Sequence, residues 1–399
     1  MITMSKLNAT TNAIGNYFCS TENYYFKQSD NIQRILKKSG FQVSDLTTLE
    51  HVRLYGKVAE KLGYKPGQAI SQNVFEDLLK CKNAAGLKVS REHKNKAIDI
   101  TFSAPKSVSI AALVSNNITR QYQARIMEAH TKAVLETMQM IEKKYSYAHP
   151  RADQEVKSTG MCWAQVNDGF NREHDPHLHT HAVVFNLTEY QGKYMALRPR
   201  ELFQQEVNKF AGAYYRQTLA GELKKLDLSI SYLKGGEFRL NLITGEQEKE
   251  FSTRHNQIAK AKSTGAGDQE AWRKTRKEKE PTIDKAKMTA NWDHRFNKYF
   301  YKPEKVNKKE SEEERKLWSK QAEFSIEAEH ERNYDRAHLT ESERWQLAAE
   351  RATQQTATPK KESIMREYMN EVMRTERGES LSIKELDDRF DRQLEKGYI

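Results

Sequence analysis

Apolar positions are dense from about residue 14 to residue 242 and sparse after that. Three segments have the pattern of β-strands: AIDITF at 97–102 and the stretches 160–166 and 178–186. A polar stretch, NDGFNREHDPH, joins the last two. SISYLKGGEFRLNL, at 229–242, predicts a β-hairpin that turns at its two glycines. This part of the chain is therefore expected to form a sheet.

Helical patterns occur between and after these strands. KSVSIAALV at 106–114 has helical character, and apolar residues recur near helical spacing over 118–144 and 202–226. In the tail, Thr340-Glu-Ser-Glu343 and Ser382-Ile-Lys-Glu385 are capping boxes, which predict further helices. Strands mixed with long helices, without regular βαβ repeats, are typical of an α+β fold with helices packed on a sheet.

Charge and composition narrow the class of protein. There are 66 Lys and Arg residues against 55 Asp and Glu residues, a formal net charge of +11, which favours a polyanion as partner. The chain has no apolar run of about 18 residues, and its first residues lack the apolar centre of a signal peptide. Cys19, Cys81 and Cys162 are far apart, as is typical of reduced thiols. We therefore expect a cytoplasmic protein without a membrane span.

The densest chemistry lies in HDPHLHTHAVVF, which begins at His174. Alternate residues of a strand share a face, so His177, His179 and His181 point the same way. Neighbouring members are about 6.7 Å apart at Cα, so two imidazoles can converge on one ion, whereas the outer pair is about 13 Å apart. The pattern predicts a metal site made of one adjacent pair and a group from a neighbouring strand. The alternative is a hydrogen-bonded histidine ladder on an exposed strand.

A second cluster, GNYFCSTENYY, contains Tyr17, Tyr24 and Tyr25. A phenol with a pKa of about 10 is a poor nucleophile at neutral pH unless a metal ion stabilises the charge that develops. Phosphodiesters suit this chemistry, because tyrosine can form a phosphotyrosyl bond and later release it. With 18 tyrosines in the chain, such pairs also arise by chance, so the cluster alone does not establish catalysis.

Together, three segments resemble the motifs of MobF-type conjugative relaxases, the TraI/TrwC type of HUH endonuclease, in that family's order. They are GNYFCSTENYY, IDITFSAPKSVS at 98–109 and DPHLHTHAVVFN at 175–186, and the resemblance covers about residues 1–300. It implies an antiparallel central sheet flanked by helices, with a relaxase catalytic core at 1–250, a basic lid at 251–309 and a charged helical C-terminal extension at 310–399. It also implies nicking of one DNA strand at a transfer origin, through a 5′-phosphotyrosyl link that is later religated during conjugation.

Residue roles follow from the same resemblance. Tyr17 matches the first nucleophile, and Tyr24 and Tyr25 match the pair used in strand transfer or termination. His179 and His181 match the histidine pair that binds a divalent metal ion.

Asp99 matches the carboxylate that accepts a hydrogen bond from a metal-bound histidine. The chain departs from the pattern at Phe18, where relatives often have another tyrosine, and at Asp168, where the family's first metal histidine would fall. Two imidazoles and one carboxylate would favour Mn²⁺ or Mg²⁺. His174 and His177 remain alternatives for the third ligand.

Single-stranded DNA at a transfer origin is the expected partner, together with accessory relaxosome proteins and a coupling or secretion system. Binding a strand requires cations along its backbone and flat side chains against its bases. The candidate phosphate contacts are Lys106, Arg172, Arg198, Arg200, Arg254, Arg273, Arg276 and Lys277. The candidate stacking residues are Tyr194, Phe203, Tyr214 and Trp272.

Three other functions remain open. A rolling-circle replication initiator of the HUH class uses the same chemistry, but tyrosines placed ahead of the histidines favour a relaxase. A non-catalytic origin DNA-binding protein with a degenerate metal site would account for Asp168. A metal-dependent hydrolase of a small substrate would leave the basic region unexplained. Since relatives often continue into a helicase, the chain is expected to be either a short form or part of a longer relaxase-helicase.

Overall fold

A computed structural model of the chain describes residues 1–19, 52–114, 119–151, 154–265, 267–277, 284–298, 339–373, 380–397 and 399. The candidate residues Tyr24 and Tyr25 lie outside this part. Its strands are β1 (Ile2–Leu7), β2 (Val52–Tyr55), β3 (Gln68–Ala69), β4 (Ala97–Ser103), β5 (Tyr147–Arg151), β6 (Gln154–Lys157), β7 (Trp163–Phe170), β8 (Pro176–Phe185), β9 (Thr188–Tyr190), β10 (Lys193–Met195), β11 (Ile230–Tyr232) and β12 (Phe238–Leu240). Its α-helices are α1 (Thr11–Cys19), α2 (Lys57–Lys61), α3 (Gln72–Leu79), α4 (Lys106–Leu113), α5 (Gln123–Tyr145), α6 (Gln205–Lys224), α7 (Gly245–Glu250), α8 (Thr253–Ser263), α9 (Asp268–Lys274), α10 (Lys285–Asn297), α11 (Glu341–Thr353), α12 (Lys361–Met373) and α13 (Ile383–Glu395).

Six strands form one sheet in the order β1-β4-β8-β7-β2-β3, and every neighbouring pair is antiparallel. Strand β8 lies near the middle, between β4 and β7. The remaining strands form two-stranded ribbons, one of which is the hairpin predicted at the glycine pair. The predicted α+β fold with an antiparallel central sheet flanked by helices is therefore confirmed.

Strand β7 differs from the sequence prediction. It covers Trp163–Phe170 instead of 160–166, and the loop before β8 is only residues 171–175. Asn167 and Asp168 are residues typical of turns, but here they pair with Thr180 and His179 across the strands. Pairing with a central strand has overridden the local preference of these residues.

Apolar residues fill both faces of the sheet. A large core lies between one face and helices α4, α5 and α6. A smaller core lies on the other face, under α1, α2 and α3. The sheet is thus the middle layer, which explains why β8 is almost continuously apolar or buried along its length.

The C-terminal helices belong to the large core. The ring of Trp345 on α11 stacks on Tyr368 of α12, with centroids 3.7 Å apart, and both side chains are buried. Gln217 Nε2 on α6 donates to the carbonyl of Leu381 at 2.8 Å, which fastens this unit to the helices under the sheet. Both predicted capping boxes, at Thr340 and Ser382, are present. None of the helices in the described ranges is long and apolar enough to cross a membrane.

Replacing Trp345 by Ala is expected to lower the free energy of unfolding by about 3–5 kcal/mol, because a large, fully buried side chain is removed. Urea denaturation followed by circular dichroism, with hydrogen exchange of the β8 amides, measures the effect. Trp272→Ala is the matched control, since that side chain is 46% exposed, and its change should be small. Unaltered protection of β8 in Trp345→Ala would show that the C-terminal helices do not share the core.

Candidate active site on the central strand

Strand β8 carries the three alternate histidines, and both of its faces are covered. Leu178, Ala182 and Val184 contribute to the large core, whereas Val183 and Phe185 contribute to the smaller one. The histidines share the second face by alternation. His179 is 8% exposed and His181 is 7% exposed. A histidine ladder on an exposed strand is therefore wrong for this chain.

His181 is oriented by the neighbouring strand β4. Its Nδ1 donates to both carboxylate oxygens of Asp99, each 2.9 Å away. Thr101 is the direct cross-strand partner of His181. Its hydroxyl oxygen lies 3.2 Å from the same nitrogen, and the hydroxyl donates to Asp99. In a neutral ring, a proton on Nδ1 leaves Nε2 as the nitrogen that can ligate a metal ion. Asp99 thus stands where the resemblance expected it.

His179 has the same tautomer for a different reason. Its Nδ1 donates to the carbonyl of His177 at 2.8 Å. On its other side, Nε2 lies 3.4 Å from Oδ2 of Asp168. The two side chains meet because Asp168 and His179 are direct partners in the antiparallel pairing of β7 and β8.

Asp168 stands at an irregularity of β7, where the register shifts before Phe170. Its Oδ1 accepts from the amide of Gly169 at 2.7 Å and from that of Phe170 at 3.4 Å. Bulges commonly re-aim a side chain, and here the backbone amides hold the carboxylate so that Oδ2 faces His179.

The donor chemistry suits a divalent ion. Burial lowers the pKa of His177 to about 3 and that of His179 well below its usual value, which favours the neutral form of each ring. With metal–ligand bonds of about 2.0–2.2 Å, two ligands of one ion lie roughly 3 Å apart, close to the Asp168–His179 separation. The described ranges contain no closed group of three His, Cys, Asp or Glu side chains arranged for a metal. The structure thus presents a carboxylate–imidazole pair with His181 beside it, at a ring-centroid distance of 5.2 Å from His179.

Helix α1 lies over the histidine face and carries Tyr17. Phe18 is fully buried between His181 and Phe75, with ring centroids 5.5 and 6.1 Å away. Tyr17 packs against Phe18 at 4.7 Å and is 38% exposed. A Cβ on Gly15 would come within 2.6 Å of Oε1 of Glu76, so glycine permits the close approach of α1 to α3. The nucleophile candidate therefore stands one aromatic ring away from His181, at the surface.

Comparison with known proteins adds to this geometry. The family model described as TrwC relaxase matches residues 20–299. This chain belongs to the TrwC relaxase family. It is 28% identical over 275 residues to the multifunctional conjugation protein TraI of Escherichia coli (strain K12), an alignment that covers 65% of this chain but only 14% of TraI.

Solved structures of the relaxase TrwC are similar to this chain. The metal-free complex with oriT DNA has a TM-score of 0.58 at 25% identity, covering 75% of this chain and 99% of the other. The metal-bound complex has a TM-score of 0.56 at 26% identity, with the same coverage. TrwC with a 27-mer DNA comprising the recognition hairpin and the cleavage site has a TM-score of 0.55 at 26% identity, covering 75% and 98%.

In this TrwC-family chain, the loop before β8 is clamped by the predicted lid region. Trp292 Nε1 on α10 donates to the carbonyl of His174 at 2.6 Å. The buried carboxylate of Asp175 accepts from the amide and hydroxyl of Thr253, at 2.8 and 2.9 Å, and pairs with Arg295 at 3.1 Å. The backbone of His174 is thereby held in the loop before β8, and a role for its imidazole as the third ligand stays a prediction.

Seven of the eight basic candidates fall into two places. Around the loop, the guanidinium groups of Arg254 and Arg276 lie 5.4 and 4.8 Å from the ring centre of Trp272. Arg172 Nη1 donates to the carbonyl of Lys277 at 2.9 Å, and Lys277 pairs with Glu173 at 2.6 Å. The remaining candidate of this group is the exposed Arg273.

Lys106 is the exception among these candidates. It is half-buried and donates to the carbonyl of Pro176 at 2.9 Å, at the start of β8. Burial lowers its pKa to about 8. Its cation therefore lies at the entrance to the histidine strand and not on an open surface.

Arg198 and Arg200 lie far from the loop, in a groove of about 1160 Å³ at the end of the sheet where β4 begins. Lys6 and Arg91 also line it, and of the described residues that do so none is acidic. Phe203 lies at its edge under the ammonium of Lys6, 5.1 Å from the ring centre. Since β4 spans seven residues, this end is about 20 Å from the histidine end.

The aromatic candidates for base stacking differ in exposure. The rings of Trp272 and Phe203 are accessible at the surface. Tyr194 lines the groove, and its hydroxyl donates to the carbonyl of Lys61 at 3.1 Å. Tyr214 is buried in the large core, so its choice as a stacking residue is wrong: it belongs to the apolar face of α6.

Several residues that bond to the site, or to the strand and loop that carry it, gave a weak signal or none in the sequence. Thr101 shares a face with Asp99 by alternation, which could have been noticed. His130 looks like one more polar residue within a long helix, and Trp292 like an isolated aromatic residue, because their partners are far away in the sequence.

Proposed function

We propose that this chain nicks one DNA strand at a transfer origin by transesterification and keeps the cut 5′ end on Tyr17. The observation that carries the proposal is a carboxylate–imidazole pair, Asp168 and His179, beside an imidazole oriented by a carboxylate, His181 and Asp99, under the helix that bears Tyr17. Family membership supports the reaction class, and the TrwC structures are of complexes with oriT DNA. Because the chain spans a small part of TraI, activities of that whole protein are not implied.

Asp168, His179 and His181 would hold a divalent metal ion. Bound there, the ion would stabilise negative charge on the non-bridging oxygens of the scissile phosphate. A carboxylate and two imidazoles suit Mn²⁺ or Mg²⁺ better than three imidazoles would. TrwC has been solved with a bound metal, including a copper-bound form, so the identity of the ion is a separate question for this chain.

The chain's own residues account for the bond changes. The phenol oxygen of Tyr17 attacks phosphorus, its proton passing to solvent, and the bond from phosphorus to the 3′-oxygen breaks. That oxygen takes up a proton and leaves as a 3′-hydroxyl, while the 5′-phosphate stays on Tyr17. The phosphotyrosyl ester conserves the energy of the phosphodiester, so the strand can be rejoined without ATP. Tyr24 and Tyr25 would serve the second transfer during conjugation.

The DNA would contact the protein at two places. The Trp272 cluster offers a flat ring and guanidinium groups for a single strand next to the site. The groove at Arg198 and Arg200 offers cations for a second stretch of DNA backbone, such as a hairpin stem. Accessory relaxosome proteins and a coupling or secretion system would complete the assembly.

A second function is favoured by one observation. Asp168 replaces the imidazole expected by resemblance, and the described ranges contain no closed three-ligand group. These facts suit an origin DNA-binding protein with a degenerate metal site. A rolling-circle replication initiator of the HUH class would share the nicking step with a conjugative relaxase. Religation assays on a linear acceptor strand separate the initiator from the relaxase.

Tyr17→Phe is expected to abolish the covalent protein–DNA adduct, because it removes the attacking oxygen. The full chain is incubated with labelled single-stranded origin DNA and Mn²⁺ and resolved on a denaturing gel. Tyr190→Phe, which removes a phenol outside the site, should retain the adduct. Retention of the band in Tyr17→Phe would assign the first attack elsewhere, and a native gel shift with no adduct in any variant would favour the binding protein.

Asp168→His is expected to shift the metal preference of the site from Mn²⁺ towards Ni²⁺, because imidazole ligands suit Ni²⁺ and carboxylate ligands suit Mn²⁺. Isothermal titration calorimetry with each ion gives the affinity ratio. Asp99→Asn is the control: it leaves the three ligands in place and should weaken both ions by about 10- to 100-fold without altering their ratio. An unchanged ratio in Asp168→His would exclude Asp168 as a ligand.

The affinity for DNA falls as salt rises, so a plot of log affinity against log salt concentration has a negative slope. Replacing both Arg198 and Arg200 by Gln should make this slope shallower, by about 0.9 for each DNA phosphate that the protein no longer neutralises. Fluorescence anisotropy with a hairpin oligonucleotide over a series of salt concentrations measures it. Lys143→Gln removes an exposed cation of helix α5 and should leave the slope unaltered. Equal slopes in the wild type, the double variant and Lys143→Gln would show that the DNA backbone does not bind at Arg198 and Arg200.

A further inference from the structure

A chain of hydrogen bonds crosses the large core beneath the histidine strand. Tyr215 on α6 contacts Nδ1 of His130 on α5 at 2.8 Å. Nε2 of His130 contacts the hydroxyl of Thr180 at 2.8 Å, and Thr180 donates to Oδ1 of Asn167 at 2.6 Å. Tyr215, His130 and Thr180 are each at most 1% exposed.

The bonds have one consistent direction. Because Thr180 donates to Asn167, its oxygen accepts from Nε2–H of His130. Nδ1 of His130 then accepts from the hydroxyl of Tyr215. This arrangement requires a neutral imidazole, and burial lowers the pKa of His130 to about 3. Every member therefore has a partner, which is the condition under which a buried polar network fixes one geometry.

The chain ends directly behind the proposed ligands. Thr180 lies between His179 and His181 and points to the opposite face of β8. Asn167 precedes Asp168, and Asn167 and Thr180 are direct cross-strand partners, as are Asp168 and His179 one step along. The Thr180–Asn167 bond thus joins the two strands at the point where the carboxylate and imidazole meet on the other face.

We propose that His130, with Tyr215 and Thr180, is a positioning element that sets the pairing of β7 and β8 and so brings Asp168 next to the histidine pair. The inference rests on the proposed function, in which those three side chains hold a divalent ion. Apolar contacts set which face of each strand is buried, but they distinguish less sharply between registers two residues apart, since they are not directional. Hydrogen bonds from two helices fix it.

Thr180→Val removes the hydroxyl while keeping the shape, and Thr180→Ser keeps the hydroxyl. We expect Thr180→Val to weaken Mn²⁺ binding to the full chain by up to about 10-fold, the affinity equivalent of one lost buried hydrogen bond. Thr180→Ser should stay close to wild type. Tyr215→Phe breaks the far end of the chain and should weaken binding in the same direction by less. Calorimetric titration with Mn²⁺ measures all four proteins.

Val184→Ala separates positioning from general stability. Val184 is fully buried on the same face of β8, so its truncation destabilises the core, but it takes no part in the hydrogen-bond chain. It should bind Mn²⁺ as wild type does at temperatures where it is folded. Equal weakening in Val184→Ala and Thr180→Val would overturn the proposal.

The remaining outcomes are distinct. Should wild type bind no Mn²⁺, the proposed function fails first. If wild type binds and folded Thr180→Val binds equally well, only the positioning role is lost. If Thr180→Val does not fold, Tyr215→Phe decides by the same comparison. The ring ¹⁵N shifts of His130 give a readout independent of metal: a proton on Nδ1 instead of Nε2 would contradict the assigned direction.

Discussion

Everything in the site depends on the alternation of side chains along one central strand that is covered on both faces. Even-numbered residues of β8 face the large core and odd-numbered ones face the histidine side. Since β4 and β7 flank β8, His179 and His181 each have cross-strand neighbours on both sides. Asp99 and Asp168 therefore reach the two imidazoles from opposite sides, and all four side chains stand on strands instead of loops.

The same constraint explains how the chain accommodates Asp168 and Phe18, the two residues that depart from the pattern implied by the resemblance. Asp168 is shorter than the expected histidine, yet a register shift and two backbone amides direct its carboxylate to His179. Phe18, in place of a tyrosine, fills the space between His181 and Phe75. One change adds negative charge beside the imidazoles, and the other makes their surroundings more apolar. Both alter the electrostatics of the site while preserving its framework.

Regions outside the three sequence motifs help to hold strand β8 in place. Helix α10 and the start of α8 clamp the loop that leads into β8, through His174 and Asp175. On the other side of the sheet, α5 and α6 carry the hydrogen-bond chain to Thr180 and are themselves packed by the C-terminal helices. The candidate lid and the C-terminal unit are therefore physically connected to the site through packed and hydrogen-bonded elements.

Sequence alone determined the local features: the shared face of His177, His179 and His181, the hairpin at the glycine pair, and the capping boxes at Thr340 and Ser382. These follow from periods of two or 3.6 residues and from contacts within one turn, which a linear pattern records. Tertiary structure alone decided that Asp168 meets His179, that His130 bonds to Thr180, and that seven of the basic candidates separate into two places. Those facts depend on strand register and helix docking, which bring together residues far apart in sequence, and no periodicity encodes them.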